Sequence, residues 1–457
     1  MFHHPFYTPR TFCYPIPMKL RQRPEDFIVE EITSLEILKI EDGKKDKVKY
    51  EHNDGKNNQK NDPKSNGKPD FKIYFLEKHD IETFKLLQLF SENNNIPRKE
   101  IAIAGLKDTH ALTGQYLSSP SKYNIKSSHP NAKLTFVGYS KNAIKLGDLK
   151  GNRFIITTRD VDTNELKKMN ERYRSISKYG IPNYFDSQRF GSVVLSEEDA
   201  KEKREGDNLF ENNQFRDYPF RKDSFIIKEI IKGNYEQAVK IVLTTYLESE
   251  SDMIKKDKIM MHENWNNLHL VVNKIRNNQY QNIVHEYLRT KSWIKAYNRV
   301  SPGLRELYVS AYQSYLWNEC IKELLRVKVK RGKIFKVHYN IGELLFYEDL
   351  SEHELREIPE KFQTISERLN AEGYEKEIVL KILEREKLEL KDFANIRKKT
   401  RNFFKTHERN AIVHPENFKI HNPERDEFNR GKYKIKIEFH LPKGSYATVV
   451  IKALFRE

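Results

Sequence analysis

Residues 101–115, I-A-I-A-G-L-K-D-T-H-A-L-T-G-Q, run from a small apolar strand across Gly105 and Leu106 into the adjacent pair Lys107 and Asp108. An aspartate after a strand most often caps a helix or closes an Asx turn. The functional alternative is a carboxylate kept ionised while partly withdrawn from water, with burial penalising the charge and a cation such as Lys107 offsetting that penalty. A carboxylate held in this way attacks a sugar C1′ or stabilises a developing oxocarbenium ion.

A second cluster is I-P-N-Y-F-D-S-Q-R-F-G-S, residues 181–192. Loop aromatics such as Tyr184, Phe185 and Phe190 commonly pin a loop to a core. The dense mixture here also suits a flipped base stacked on a ring, its edge met by Asn183 or Gln188 and its phosphate by Arg189. A third is R-Q-R-P-E-D-F-I-V-E-E, where Arg21 and Arg23 precede a strand that puts Phe27 and Val29 on one face. The segments L-G-D-L-K-G-N-R-F and L-P-K-G-S-Y-A-T place lysines in glycine turns, suited either to phosphate or to ordinary hairpins.

These residues need elements to position them. Alternation predicts strands at E-D-F-I-V-E-E-I and at F-K-I-Y-F-L-E, with Phe71, Ile73 and Phe75 on one face. Between them, residues 43–70 have too few apolar side chains to offset their ordering entropy and read as a disordered insertion. A helix over 82–92, strands at 101–104 and within 134–158, and a helix opened by Asp162 with Glu165 in a capping box and closed by Gly180 complete this part. Beyond 192 the texture is charged and helical. Leu304, Leu307, Tyr308, Ala311, Tyr315 and Leu316 recur at helical spacing. The end reverts to a strand, Tyr433 to Leu441, which should rejoin the first sheet.

The chain has 457 residues, 82 basic against 66 acidic, a net charge of +16 and a pI near 9.3. This balance favours a polyanionic partner, and 24 Tyr and 26 Phe supply flat faces for bases. Two distant cysteines, Cys13 and Cys320, indicate neither a disulfide framework nor a zinc site. No run approaches the roughly 18 to 20 apolar residues of a membrane span, so a cytoplasmic protein is expected.

Together and in order, P-E-D-F-I-V-E-E, E-K-H-D-I-E-T, A-G-L-K-D-T-H-A-L-T-G-Q, G-D-L-K-G-N-R-F, P-N-Y-F-D-S-Q-R-F-G, S-A-Y-Q-S-Y-L-W-N and L-P-K-G-S-Y-A-T resemble the TruD family of tRNA pseudouridine synthases. The resemblance implies that Asp108 is the catalytic nucleophile and that Phe27, Asn183 and Phe185 contact the uracil. It puts a basic residue at Arg21, with Arg21 or Lys107 keeping Asp108 anionic and Gln188 and Arg189 in support. It further implies conversion of uridine, typically uridine-13 of tRNA, to pseudouridine without metal or organic cofactor. Thr109, Gly114, Asp186 and Lys452 depart from the family pattern. Asp186, where glycine is usual, would add negative charge beside Phe185 and Asn183.

The resulting expectation is an α/β (α+β) pseudouridine synthase fold with a mixed, largely antiparallel sheet. The catalytic domain would comprise 1–42, 71–192 and 413–457, interrupted by a mainly helical TRUD domain at 193–412. A monomer acting on tRNA or other RNAs, with no membrane partner, is expected. Two other readings are open at this stage. One is a non-catalytic RNA chaperone of the same fold; the other is a nucleoside hydrolase using Asp108, although no second carboxylate stands at a suitable position.

Overall fold

A computed structural model describes residues 18–41, 44–47, 70–109, 111–191, 193, 225–246, 250–400 and 402–456. The described residues divide into two compact units, one within 18–177 and 414–447, the other within 178–413 and 448–456.

The first unit is built on an eleven-stranded sheet. Its strands in chain order are β1 (Phe27–Thr33), β2 (Leu38–Glu41), β3 (Lys44–Lys47), β4 (Phe71–Lys78), β5 (Ala102–Ile103), β6 (Leu112–Pro120), β7 (Ala132–Ser140) and β8 (Leu149–Val161), followed by Glu416–Ile420, Glu424–Arg425 and Tyr433–Pro442. β1 is central, parallel to β6 and antiparallel to β8, and every other pairing is antiparallel. The expected return strand does rejoin this sheet: Tyr433–Pro442 lies along β8, with Ile435, Ile437, Phe439 and Leu441 all buried.

The pattern of β4 differs from the expected one. Ile73 faces one side with Ile37, Ala104 and Ile144, whereas Tyr74 and Leu76 face the other, under helix α1 (Thr83–Asn93), with Leu86, Leu87 and Phe90. Both faces are therefore covered, so alternation between apolar and polar residues could not reveal which side was core. The same period of two that points Tyr74 and Leu76 toward α1 places Lys78 on that side, fully buried. Gly114, one of the departures, has a steric reason: a Cβ there would lie 2.5 Å from the Phe75 ring.

Within the segment expected to be a disordered insertion, one short strand is described. Lys44–Lys47 pairs with Leu38–Glu41 at the sheet edge, and the intervening Asp-Gly dipeptide is a strong hairpin sequence. A charged edge strand resists pairing with other chains. Residues 48–69 lie outside the described residues. Helix α2 (Thr163–Tyr179) begins as expected, with Asp162 accepting the N–H groups of Asn164 and Glu165 at 2.9 Å each. The reciprocal half of the capping box is not made, because the Glu165 carboxylate turns to Arg172.

The second unit is mainly helical. Its longest helix, Pro302–Lys328, starts with Pro302 in its first turn and the Ser301 hydroxyl accepting the Leu304 N–H. Ala311, Tyr312, Leu316 and Trp317 are buried on it, while Leu307, counted above among the apolar positions, is 54% exposed. In this division the 181–191 loop and the terminal helix Ala447–Phe455 fall with the helices. Contacts distant in sequence hold them there. Ile181–Pro182 pairs with Ile412–Val413, and Lys452 of the terminal helix pairs with Asp186. Among the described residues, no helix is long and apolar enough to cross a membrane.

Candidate active site

In the sheet unit, strand β5 ends at Ile103 and the chain leaves the sheet through Gly105 and Leu106. Backbone carbonyls then anchor the loop. The carbonyl of Asp108 accepts from the Lys78 ammonium at 2.7 Å, and that of Lys107 from the Thr83 hydroxyl at 3.5 Å. Lys78 also donates to the Ile81 carbonyl at 3.0 Å. A buried cation thus ties the end of β4, the start of α1 and the Asp108 loop together. Sequence reasoning assigned Lys78 no role; its only signal was its place in E-K-H-D-I-E-T.

Burial pushes the Lys78 ammonium down to about 8, against the opposing pull of Asp108 and Asp80. Because the unfolded lysine titrates at an ordinary 10.5, unfolding takes up a proton between those two values, and stability rises with pH across that window. Lys78→Met should lack this rise, worth up to about 3 kcal/mol, in denaturant melts compared at about pH 7.5 and 10.

The Asp108 carboxylate meets Arg21, whose guanidinium lies 2.9 Å from Oδ2. Arg21 has φ +59°, a left-handed backbone that an ordinary residue adopts at a cost. Its guanidinium also lies 4.1 Å from the Phe27 ring centroid. Phe27 is buried, edge-on to Phe154, and holds Arg21 by cation–π attraction. In this structure it is a platform for Arg21 rather than an open face for a base.

The expected neighbour of Asp108 behaves differently. Lys107 points away, its ammonium 3.1 Å from Glu31 and donating to Asn152 Oδ1 at 2.6 Å. Glu31 in turn accepts the Tyr116 N–H at 2.9 Å. The two neighbouring side chains meet different partners, Lys107 meeting Glu31 and Asp108 meeting Arg21. Arg21→Met removes a cation that touches Asp108, and isomerisation measured by tritium release should fall about tenfold or more.

In the helical unit, Asn183 and Phe185 are brought together by a residue the sequence did not single out. Arg409 donates to the Asn183 carbonyl at 2.8 and 3.1 Å and to its side-chain oxygen at 2.8 Å. Its guanidinium also lies 4.2 Å from the Phe185 centroid. Asn183 is buried and its amide nitrogen donates to the Asn410 carbonyl, so in this structure it organises Arg409. Arg189 stands 5.3 Å from the same ring and donates to Ser310 Oγ at 3.0 Å; Gln188 is exposed.

Asn318, fully buried in S-A-Y-Q-S-Y-L-W-N, fixes Phe185: its Oδ1 accepts the Phe185 N–H and its Nδ2 donates to the Phe185 carbonyl, both at 2.9 Å. Tyr184 and Phe190 are the core pins, with no exposed surface. Asp186 places no free charge beside Phe185. It is buried, 2.6 and 2.7 Å from the Lys452 ammonium, and also accepts the Ser187 N–H. Burial raises its pKa, but Lys452 and these hydrogen bonds outweigh that and hold it below the usual carboxylate range. Two departures from the family pattern are thus partners of each other.

The fold, a mixed and largely antiparallel sheet joined in one chain to a helical unit, is that of a crystal structure titled "Putative tRNA pseudouridine synthase D (TruD)" from Methanosarcina mazei. The two superpose with a TM-score of 0.64 over 98% of this chain and 95% of that one, at 22% identity. At that identity the likeness is one of fold. The sequence also matches the family model "tRNA pseudouridine synthase D (TruD)" over residues 10–197 and 221–454. "Probable tRNA pseudouridine synthase D 2" of Methanocaldococcus jannaschii is 38% identical over 451 residues, covering 97% of this chain and 93% of that protein. A Methanococcus maripaludis relative, "Probable tRNA pseudouridine synthase D 1", is 36% identical over 445 residues, 96% and 99% of the two chains. The chain belongs to the TruD family and is an isomerase.

Proposed function

We propose that the protein converts uridine-13 of tRNA to pseudouridine, with Asp108 as the nucleophile. The observation that carries this reading is the Asp108 carboxylate, partly withdrawn from water and 2.9 Å from the Arg21 guanidinium. A carboxylate facing a guanidinium in this way is placed to act at C1′ of an extruded nucleotide. The N1–C1′ bond breaks, the retained uracil turns, C5 bonds to C1′, and the C5 proton leaves while N1 regains one. The net change is isomerisation, in which neither water nor a redox partner is consumed.

Phe185, held by Asn318 and flanked by Arg409 and Arg189, stacks the base, and the Asn183–Arg409 pair presents polar groups to its edge. Basic side chains bind the surrounding RNA through its phosphates.

The test is tritium release from a tRNA transcript carrying 5-tritiated uridine, followed by mapping of the product. Release with pseudouridine at position 13 supports the reading. Binding without release would leave an RNA chaperone, and free uracil would indicate a hydrolase.

A further inference from the structure

Two exposed leucines flank the Asp108 loop and play no part in the site described above. Leu106, two residues before Asp108, is 57% exposed; Leu146 is 83% exposed, the largest value among the exposed large hydrophobic side chains of the described residues. Their loops are tied side by side, because the Gly147 N–H donates to the Ala104 carbonyl at 2.7 Å. A single exposed leucine is ordinary, but two on adjoining loops beside a reactive carboxylate call for a partner.

Both are held outward by built backbone. Lys145 to Asp148 form a tight turn in which the Asp148 N–H donates to the Lys145 carbonyl at 3.0 Å and the Asp148 carboxylate accepts the Lys145 N–H at 2.7 Å. Gly147, at φ +94°, occupies the turn position that glycine suits, leaving Leu146 at the tip. Leu106 projects from a loop whose next two carbonyls are anchored to Thr83 and Lys78 and whose next side chain is turned into Glu31. Around the turn stand exposed Lys145, Lys150 and Lys443, the last donating to the Gly147 carbonyl at 3.2 Å.

An apolar tip in a ring of lysines matches a stack of bases edged by phosphates. We propose that Leu106 and Leu146 form a wedge that enters the RNA stack where the target uridine has left it, holding that nucleotide extruded for Asp108. Unstacking a base costs a few kcal/mol, and an apolar side chain filling the gap offsets part of that cost. The leucines are positioning residues. The inference rests on Asp108 being the nucleophile, and the test separates the two.

The probe is an unmodified tRNA transcript with 2-aminopurine beside uridine-13, mixed at saturation with an Asp108→Asn protein that cannot turn over. Extrusion should brighten the probe. Adding Leu106→Ala and Leu146→Ala should cut the brightening about threefold or more, while Leu106→Met and Leu146→Met, which keep apolar bulk, should preserve it. With Asp108 restored, the alanine pair should lower kcat about tenfold with little change in KM.

Equal brightening with the alanine pair overturns the wedge, as does equal loss with the methionine pair, which would indicate loop distortion. No brightening of the parent overturns it too. Leucine-dependent sedimentation with phosphatidylserine vesicles would assign the patch to a membrane surface instead. If the wild type released no tritium, the nucleophile reading would fail, and the fluorescence comparison would still decide the wedge.

Discussion

Asp108→Asn is expected to slow tritium release from 5-tritiated uridine in tRNA by at least about 1,000-fold while leaving the affinity for that RNA unchanged. Asparagine keeps the shape of the side chain and still faces Arg21, and the loop is anchored through the Asp108 and Lys107 carbonyls, which the substitution does not touch. What it removes is the negative charge and the nucleophilic oxygen. Asp108→Glu restores both but displaces the oxygens by a methylene, and a misplacement on the order of 1 Å costs about 100-fold. The two variants thus separate charge from position. Release by Asp108→Asn at close to the wild-type rate would rule this residue out as the nucleophile.

Lys452→Met should lower the unfolding free energy by about 3–5 kcal/mol in urea or guanidinium titrations. The cause is the carboxylate it strands: Asp186 and Lys452 expose only 3% and 7% of their side chains, so an unpaired Asp186 has no water to turn to. The double variant Asp186→Asn with Lys452→Met should recover most of the loss, because asparagine still caps Ser187 and no charge remains buried. Acid titration gives the matching sign. Asp186 is held below its ordinary range in the folded protein, so its contribution is complete above the unfolded value of about 3.9 and is lost as pH falls through the lower folded value. The wild type should lose stability on acidification below about pH 4 more steeply than the double variant. A single variant as stable as wild type would show that the pair carries no such energy.

Three residues illustrate why part of the site stayed hidden in the sequence. Lys78 closes a strand whose two faces are both covered, so its burial under α1 has no alternating signature. Asn318 sits in an amphipathic helix, where an asparagine on the inner face reads as an imperfection until its amide is seen to grip both backbone groups of Phe185. Arg409 lies 224 positions from Phe185 along the chain, in a segment with no distinctive composition. In each case the partner is set by chain return.

Local chemistry was legible by itself. Strand alternation and turn residues predicted most strands of the sheet and the return of Tyr433–Pro442 to it, and the Asp162 cap marked the start of α2. Residue types in short segments marked Asp108, Asn183 and Phe185 as candidates, since a carboxylate, an amide and a ring are chemical identities that the chain states outright, while Arg21 came from the resemblance to the TruD family. Only the tertiary structure decided which cation faces the carboxylate. Lys107 is covalently nearer, yet its ammonium is drawn to Glu31, whereas Arg21, left-handed at its own backbone and braced on Phe27, reaches the carboxylate. The pairing of Asp186 with Lys452 was likewise a tertiary outcome, because electrostatic energy depends on distance through space and on exclusion of water, and sequence separation measures neither.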